Sequence, residues 1–166
     1  MGKKSSSGGK HYIYKGKQGA IQFSMSPAYR VPTNKYEIET GCVWCEVAPV
    51  NSDKNDNGNF TYDWVGRGFT VMLGPSDITS IVGRGAGQEL KIFHDPGNGG
   101  PIKSINISPG TDGSAKFAFY SNPTDGSDKK SVSLYLSAAE EFMLKKLLMD
   151  SMPDIIGWHL GGFIKE

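Results

Sequence analysis

The chain has 166 residues, 37% of them hydrophobic and 21% charged, with a net charge of +1. That length makes one domain with a core large enough to need no staples. The near-neutral balance excludes a general positive field for duplex DNA. No apolar run nears the ~20 residues of a membrane span, and two cysteines are too few for a disulfide-built secreted fold.

Residues 1–11 are rich in Gly, Ser and Lys and are expected to form a disordered basic tail. Residues 1–17 carry five lysines and no acid, which leaves 13 basic against 17 acidic residues, a net −4, in the rest. Attraction to phosphate must then come from a local arrangement. The domain itself is expected over 12–162, with a short tail at 163–166.

Strand signals dominate the domain. Tyr12–Tyr14 and Ala20–Met25 are β-prone and joined through Lys15-Gly16-Lys17-Gln18-Gly19. Gly41–Val50 reads as a longer strand, and polar Asn51–Asn59 as a loop. Phe60–Trp64 and Gly68–Leu73 have the spacing of a hairpin around Val65-Gly66-Arg67. A short helix begins at Pro75, with Asp77 in its first turn and Ile78, Ile81 and Val82 at helical spacing. Gly83-Arg84-Gly85-Ala86-Gly87 ends it. Glu89–His94, Ile102–Ser108, Ala115–Ser121 and Ser131–Tyr135 are four more strands, separated by Asp/Asn-Pro-Gly turn chemistry. Ser137-Ala138-Ala139-Glu140 is a capping box that opens the clearest helix. Its apolar rows, Ala139-Met143-Leu147 and Leu144-Leu148-Met152, span more arc than one sheet contact requires. Pro153 is expected to stop or kink it. The organisation is read as four strands and a helix, twice, the first half offering five candidates for its four strands.

Enzyme chemistry finds little support. Cys42 and Cys45 form a C-x-x-C, but their neighbours are strand formers, which puts the two thiols on opposite faces. A zinc site would need two further ligands at suitable spacing. Gly83–Gly87 follows a helix and precedes a strand, the reverse of a phosphate loop. His94 and Asp95 lie at a strand end entering a turn, with no nucleophile placed to use them. No catalytic residue, metal or cofactor is expected.

The strand-borne rings are the better lead: Tyr12, Tyr14, Phe23, Trp44, Tyr62, Trp64, Phe93, Phe117, Phe119, Tyr120 and Tyr135, with Lys15, Lys17, Lys91, Lys103 and Lys116 among them. Unpaired bases stack on such rings at roughly 1–3 kcal/mol each. The residues alone leave two readings open: an aromatic-rich β core, or a platform for single strands.

Five segments in one order decide further. They are Lys15-Gly16-Lys17, Tyr62-Asp63-Trp64, Ile92-Phe93-His94-Asp95-Pro96, Asp112-Gly113-Ser114 and Ile156-Gly157-Trp158-His159. Together they resemble the Whirly family of single-stranded nucleic-acid-binding proteins, over residues 12 to 160. The resemblance implies an α+β fold of two roughly perpendicular four-stranded antiparallel sheets, β4-α repeated twice, with a C-terminal helix, assembling as a tetramer. It implies sequence-independent binding of single-stranded DNA that protects or organises exposed strands in organelle genome maintenance, repair or transcription. The setting would be a mitochondrion or plastid, with nuclear roles also described for the family, and no membrane partner. Where the family's first strand continues with two alanines and a leucine, a segment tied to assembly beyond the tetramer, this chain has Gln18-Gly19-Ala20-Ile21.

The resemblance also implies residue roles. Lys15, Lys17 and Gln18 would contact backbone or base edges. Tyr62 and Trp64 would stack or wall the binding edge. Lys91, Phe93, Lys103 and Tyr120 would continue the path on the second sheet, while His94 and Asp95 would hold a turn. Two alternatives remain: an RNA-binding and annealing factor of the guide-RNA type, and a structural subunit of a larger assembly.

Overall fold

The computed structural model describes residues 12–160. The expected tails at 1–11 and 163–166 lie outside that range. Eleven strands are present among the described residues: β1 (Tyr12–Lys15), β2 (Gly19–Ser26), β3 (Tyr29–Val31), β4 (Asn34–Glu39), β5 (Cys42–Lys54), β6 (Phe60–Tyr62), β7 (Phe69–Leu73), β8 (Leu90–His94), β9 (Ile102–Pro109), β10 (Ala115–Asn122) and β11 (Lys130–Leu136). Helix α1 (Pro75–Gly83) comes after β7, and α2 (Ala138–Ile155) after β11.

Two antiparallel sheets result. In the first, β1 pairs β2, β2 pairs β5, and β5 pairs both β6 and β7. The second is the meander β8-β9-β10-β11. Alternation along the strands gives each sheet an apolar inner face. Ile21, Phe23, Val43, Cys45, Val47, Val71 and Leu73 come from the first sheet, and Ile92, Ile105, Ile107, Phe117, Phe119, Val132 and Leu134 from the second. Ile78 and Ile81 of α1 and Leu144, Leu148 and Ile155 of α2 join them in one core. The α+β class and the two helices agree with expectation, and Cys42 and Cys45 do face opposite ways on β5. Both thiols are buried, which pushes each pKa up; Asp77 adds to the rise at Cys45. Among the described residues no His, Cys, Asp or Glu side chains gather as a metal site would require.

The first half departs from the four-strand expectation in three ways. First, β5 does not end at Val50 but runs to Lys54. Its polar end is held because Asn51 Nδ2 donates to Thr61 Oγ1 at 3.1 Å, and that hydroxyl donates to the Asp53 carbonyl at 3.0 Å. Only 55–59 forms the turn, where Asn55 Oδ1 accepts the amides of Asn57 and Asn59 at 3.1 and 2.8 Å. Second, 60–64 and 68–73 do not form a hairpin. They run back one after the other along β5, β6 against Val50–Lys54 and β7 against Val43–Val47. Residues 63–68 are an excursion between two pieces of one return path. Third, β3 and β4 form a separate two-stranded ribbon. No element is expected from the sequence between Met25 and Gly41.

Helix α2 opens with the expected capping box: Ser137 Oγ accepts the Glu140 amide at 3.3 Å, and Glu140 Oε2 accepts the Ser137 amide at 2.8 Å. It does not stop at Pro153 but continues to Ile155. Near a helix end the missing N–H costs a single bond, and the turn survives. Of its two apolar rows, Leu144 and Leu148 are buried, whereas Met143 is exposed and Phe142 is 66% exposed.

Glycine is required where the sheets meet. A Cβ at Gly19 would lie 2.7 Å from Val132 Cγ1 of β11 and 2.9 Å from the Ala48 carbonyl. At such distances a neighbour must shift. Gly19→Ala is therefore expected to lower stability by about 1–3 kcal/mol, read from the urea midpoint.

Candidate nucleic-acid interface

The β1–β2 turn is closed by the Gly16 amide, which donates to the Gly19 carbonyl at 2.8 Å. This sends Lys15, Lys17 and Gln18 outward as exposed side chains. Among the described residues, no hydrogen bond or ion pair involves the Lys15 or Lys17 side chain. The Tyr62 hydroxyl donates to the Gly16 carbonyl at 2.9 Å, so β6 is pinned to the back of this turn. Partial burial raises the Tyr62 pKa. The Trp64 ring stands 6.5 Å from the Tyr62 ring, tilted by 60°. The structure thus brings together five of the expected residues: Lys15, Lys17, Gln18, Tyr62 and Trp64.

Trp64 is positioned by the excursion at 63–68. Asp63 Oδ2 accepts from Arg67 Nε at 3.0 Å, and Asp63 Oδ1 accepts the Gly66 amide at 2.7 Å. Those two partners hold the Asp63 carboxyl below its ordinary pKa. Arg67 also donates to the Val50 carbonyl at 3.1 Å, which fastens the excursion to β5.

On the second sheet the expected path divides. Phe93 of β8 is aligned with Ser104 of β9, and Ser104 with Tyr120 of β10. Cross-strand partners share a face, so Lys91, Phe93 and Tyr120 all lie on the outer face. Lys103 does not. Its register partners are His94 and Ser121, on the inner side, and its Nζ donates to the Thr70 carbonyl of β7 at 2.6 Å. Burial lowers the Lys103 pKa. One step along a strand reverses the face, so the spacing that recommends Lys103 separates it from the other three. Lys130 behaves alike, donating to the Gly66 carbonyl at 3.1 Å. His94 also differs from expectation. Its Nε2 lies 3.0 Å from Asp77 Oδ2, which accepts the Gly74 amide at the start of α1, so it ties β8 to α1. Asp95 holds the turn, accepting the Gly97 amide at 2.9 Å.

A cleft of about 480 Å³ opens between the β1–β2 turn, β6 and β11. Lys15, Lys17 and Gln18 line it beside Tyr14, Phe60 and Tyr135. Phe60 and Tyr135 are absent from the sequence-expected site. Tyr135 belongs to the strand rings without a role of its own there. Phe60 precedes Tyr62 and Trp64 at a spacing of two, the signal that would have found it.

The family model described as "Whirly transcription factor" matches residues 13–155. The single-stranded DNA-binding protein WHY1, chloroplastic, of Solanum tuberosum is 28% identical over 156 residues, covering 89% of this chain. The chain spans 54% of that relative's length. The crystal structure of WHY1 from Arabidopsis thaliana superposes with a TM-score of 0.78 at 19% identity, covering 92% of this chain and 88% of the other. The structure of the plant transcriptional regulator PBF-2 gives 0.77 at 21% identity, with coverages of 92% and 85%. At those identities the structures speak for the fold, and the family match speaks for descent. With five ordered segments, two antiparallel sheets and a match over nearly the whole described range, this chain belongs to the Whirly family.

Proposed function

We propose that this protein binds single-stranded DNA independently of sequence and has no enzymatic activity. The observation that carries this is the β1–β2 turn, where two lysines with no partner among the described residues flank Gly16, whose carbonyl accepts from the Tyr62 hydroxyl, with the Trp64 ring 6.5 Å from that of Tyr62. Cations beside ring faces hold a backbone and its unpaired bases at once, and neither element reads a base sequence. The potato relative is named for the same ligand. Lys91, Phe93 and Tyr120 extend the contact on the outer face of the second sheet, and Lys103 contributes by joining the sheets. The bound strand would be one exposed during repair or transcription in an organelle, a plastid by analogy with the chloroplastic relative.

The assembly is a homotetramer built on α2. Phe142, Met149 and Ile156 recur at seven-residue spacing and are all exposed, a stripe suited to a neighbouring helix. A monomeric mass by light scattering at micromolar concentration contradicts this.

Fluorescence anisotropy with labelled oligomers of about 30 nucleotides tests the function, using single-stranded DNA, the same sequence in RNA, and the duplex. Single-stranded DNA is expected to bind tightest. Preference for RNA assigns the chain to the annealing reading, and no binding at all leaves a structural role. Lys15→Ala combined with Lys17→Ala is expected to weaken binding and flatten the salt dependence by about 1.4, at about 0.7 per lost phosphate contact. An unchanged slope places the phosphates elsewhere.

A further inference from the structure

The cleft at the β1–β2 turn brings the rings of Phe60 and Tyr135 together with Lys15, Lys17 and Gln18. We propose, resting on the single-strand reading, that it is a seat for one unpaired nucleobase, stacked on Phe60 and Tyr135, with the adjoining phosphate on Lys15 or Lys17.

Four observations point there. The volume, about 480 Å³, falls in the range of pockets that enclose a small ligand. Its two ring walls come from different sheets, Phe60 from β6 and Tyr135 from β11, so the seat exists only in the folded chain. The rings are 39% and 46% exposed, far from core behaviour. Finally, each already carries a cation: Lys54 Nζ lies 5.0 Å from the Phe60 centroid, and Lys116 Nζ lies 6.0 Å from that of Tyr135. A lysine over one face leaves the other for a base and adds positive potential where a phosphate would sit. Gln18 at the rim has an amide able to donate or accept, so it can meet any base edge.

A second cleft, of about 530 Å³, provides the contrast. It contains Lys103 and Lys130, but both ammonium groups are held by backbone carbonyls, and Asp125 and Asp128 line the same space. Carboxylates there repel a phosphate. Size alone would favour this second cleft, and chemistry favours the first.

The test is photo-cross-linking of a thymidine oligomer carrying 5-iodouracil, with the attachment points mapped by mass spectrometry, beside anisotropy on the Phe60→Leu/Tyr135→Leu double variant. Cross-links are expected on peptides containing Phe60 or Tyr135. The variant is expected to lose at least about ten-fold in affinity with an unchanged salt slope, because it removes stacking and no charge. Phe60→Tyr, which keeps a ring, should retain affinity. Should the double variant fail to fold, the cross-link map on the unaltered protein decides alone. Full affinity in a folded double variant, or cross-links confined to other peptides, overturns the seat while leaving single-strand binding intact. Failure of the unaltered protein to bind any single strand removes the underlying reading and the seat with it.

Discussion

Glu141→Ala is expected to lower the free energy of unfolding by about 3–5 kcal/mol, measured by urea denaturation. Glu141 Oε1 accepts from Arg84 Nη1 at 2.7 Å, and the two side chains are only 13% and 3% exposed. Arg84 leaves the α1 terminus and donates through Nε to the Gln88 carbonyl at 2.7 Å. Lys145 closes the group, with Nζ 3.2 Å from Glu141 Oε1 and donating to the Arg84 carbonyl at 2.6 Å. Removing the carboxylate strands a guanidinium between two helices, and that uncompensated charge sets the magnitude. The pair as a whole is worth less. Arg84→Met with Glu141→Leu should therefore cost far less than the two single changes added together. The Lys146–Asp150 pair, 56% and 60% exposed, serves as a control: Asp150→Ala should cost about 0.5 kcal/mol or less. A loss under about 1 kcal/mol for Glu141→Ala would mean that water reaches the site and that no charge is stranded there.

Phe119→Ala and Phe93→Ala should separate stability from binding. Phe119 is buried on the central strand β10, between Ile105 and Val132, and its truncation should cost about 3–5 kcal/mol. Phe93 lies on the opposite face of the same sheet and is 58% exposed. Its truncation should leave the urea midpoint nearly unchanged and weaken single-strand binding by about 1–3 kcal/mol, the worth of one stacked base. Equal losses of stability would show that Phe93 is packing surface. Equal affinities, with Phe93→Ala binding as the unaltered protein does, would remove it from the path.

The contrast between those two rings also explains how far the sequence can be read. Strand placement in the second sheet is legible because Ile92, Ile105 and Val132 alternate with polar or exposed residues, and Pro-Gly turns separate the runs. The first half is harder. Asn51–Lys54 extends a strand that its composition disguises, and Asp63–Gly68 interrupts one that its spacing makes look like a hairpin. Both features depend on side-chain-to-backbone bonds between distant residues, which no local pattern records. The same limit applies to the site. Lys15, Lys17, Tyr62 and Trp64 are found through short segments and do come together. Lys103 differs from Lys91 by a face, and a face is fixed by register. Glu141 illustrates the reverse case: its i, i+4 spacing to Lys145 marks a surface pair, and only the approach of α1 makes it a buried one.

The ties between the sheets carry a further consequence. Lys103 reaches from the second sheet to the Thr70 carbonyl of β7, Lys130 reaches the Gly66 carbonyl of the excursion beside it, and the Tyr14 hydroxyl reaches the Tyr135 carbonyl at 2.9 Å at another place. Fastened at separate points, the two sheets form a frame braced against closing on an incoming strand. The ordering cost of association then falls on the nucleic acid, whose stacked bases must part before they fit fixed rings. Thymine runs, which stack least, should bind modestly tighter than adenine runs, and the difference would measure the strand's own stiffness, with no protein contact reading its sequence.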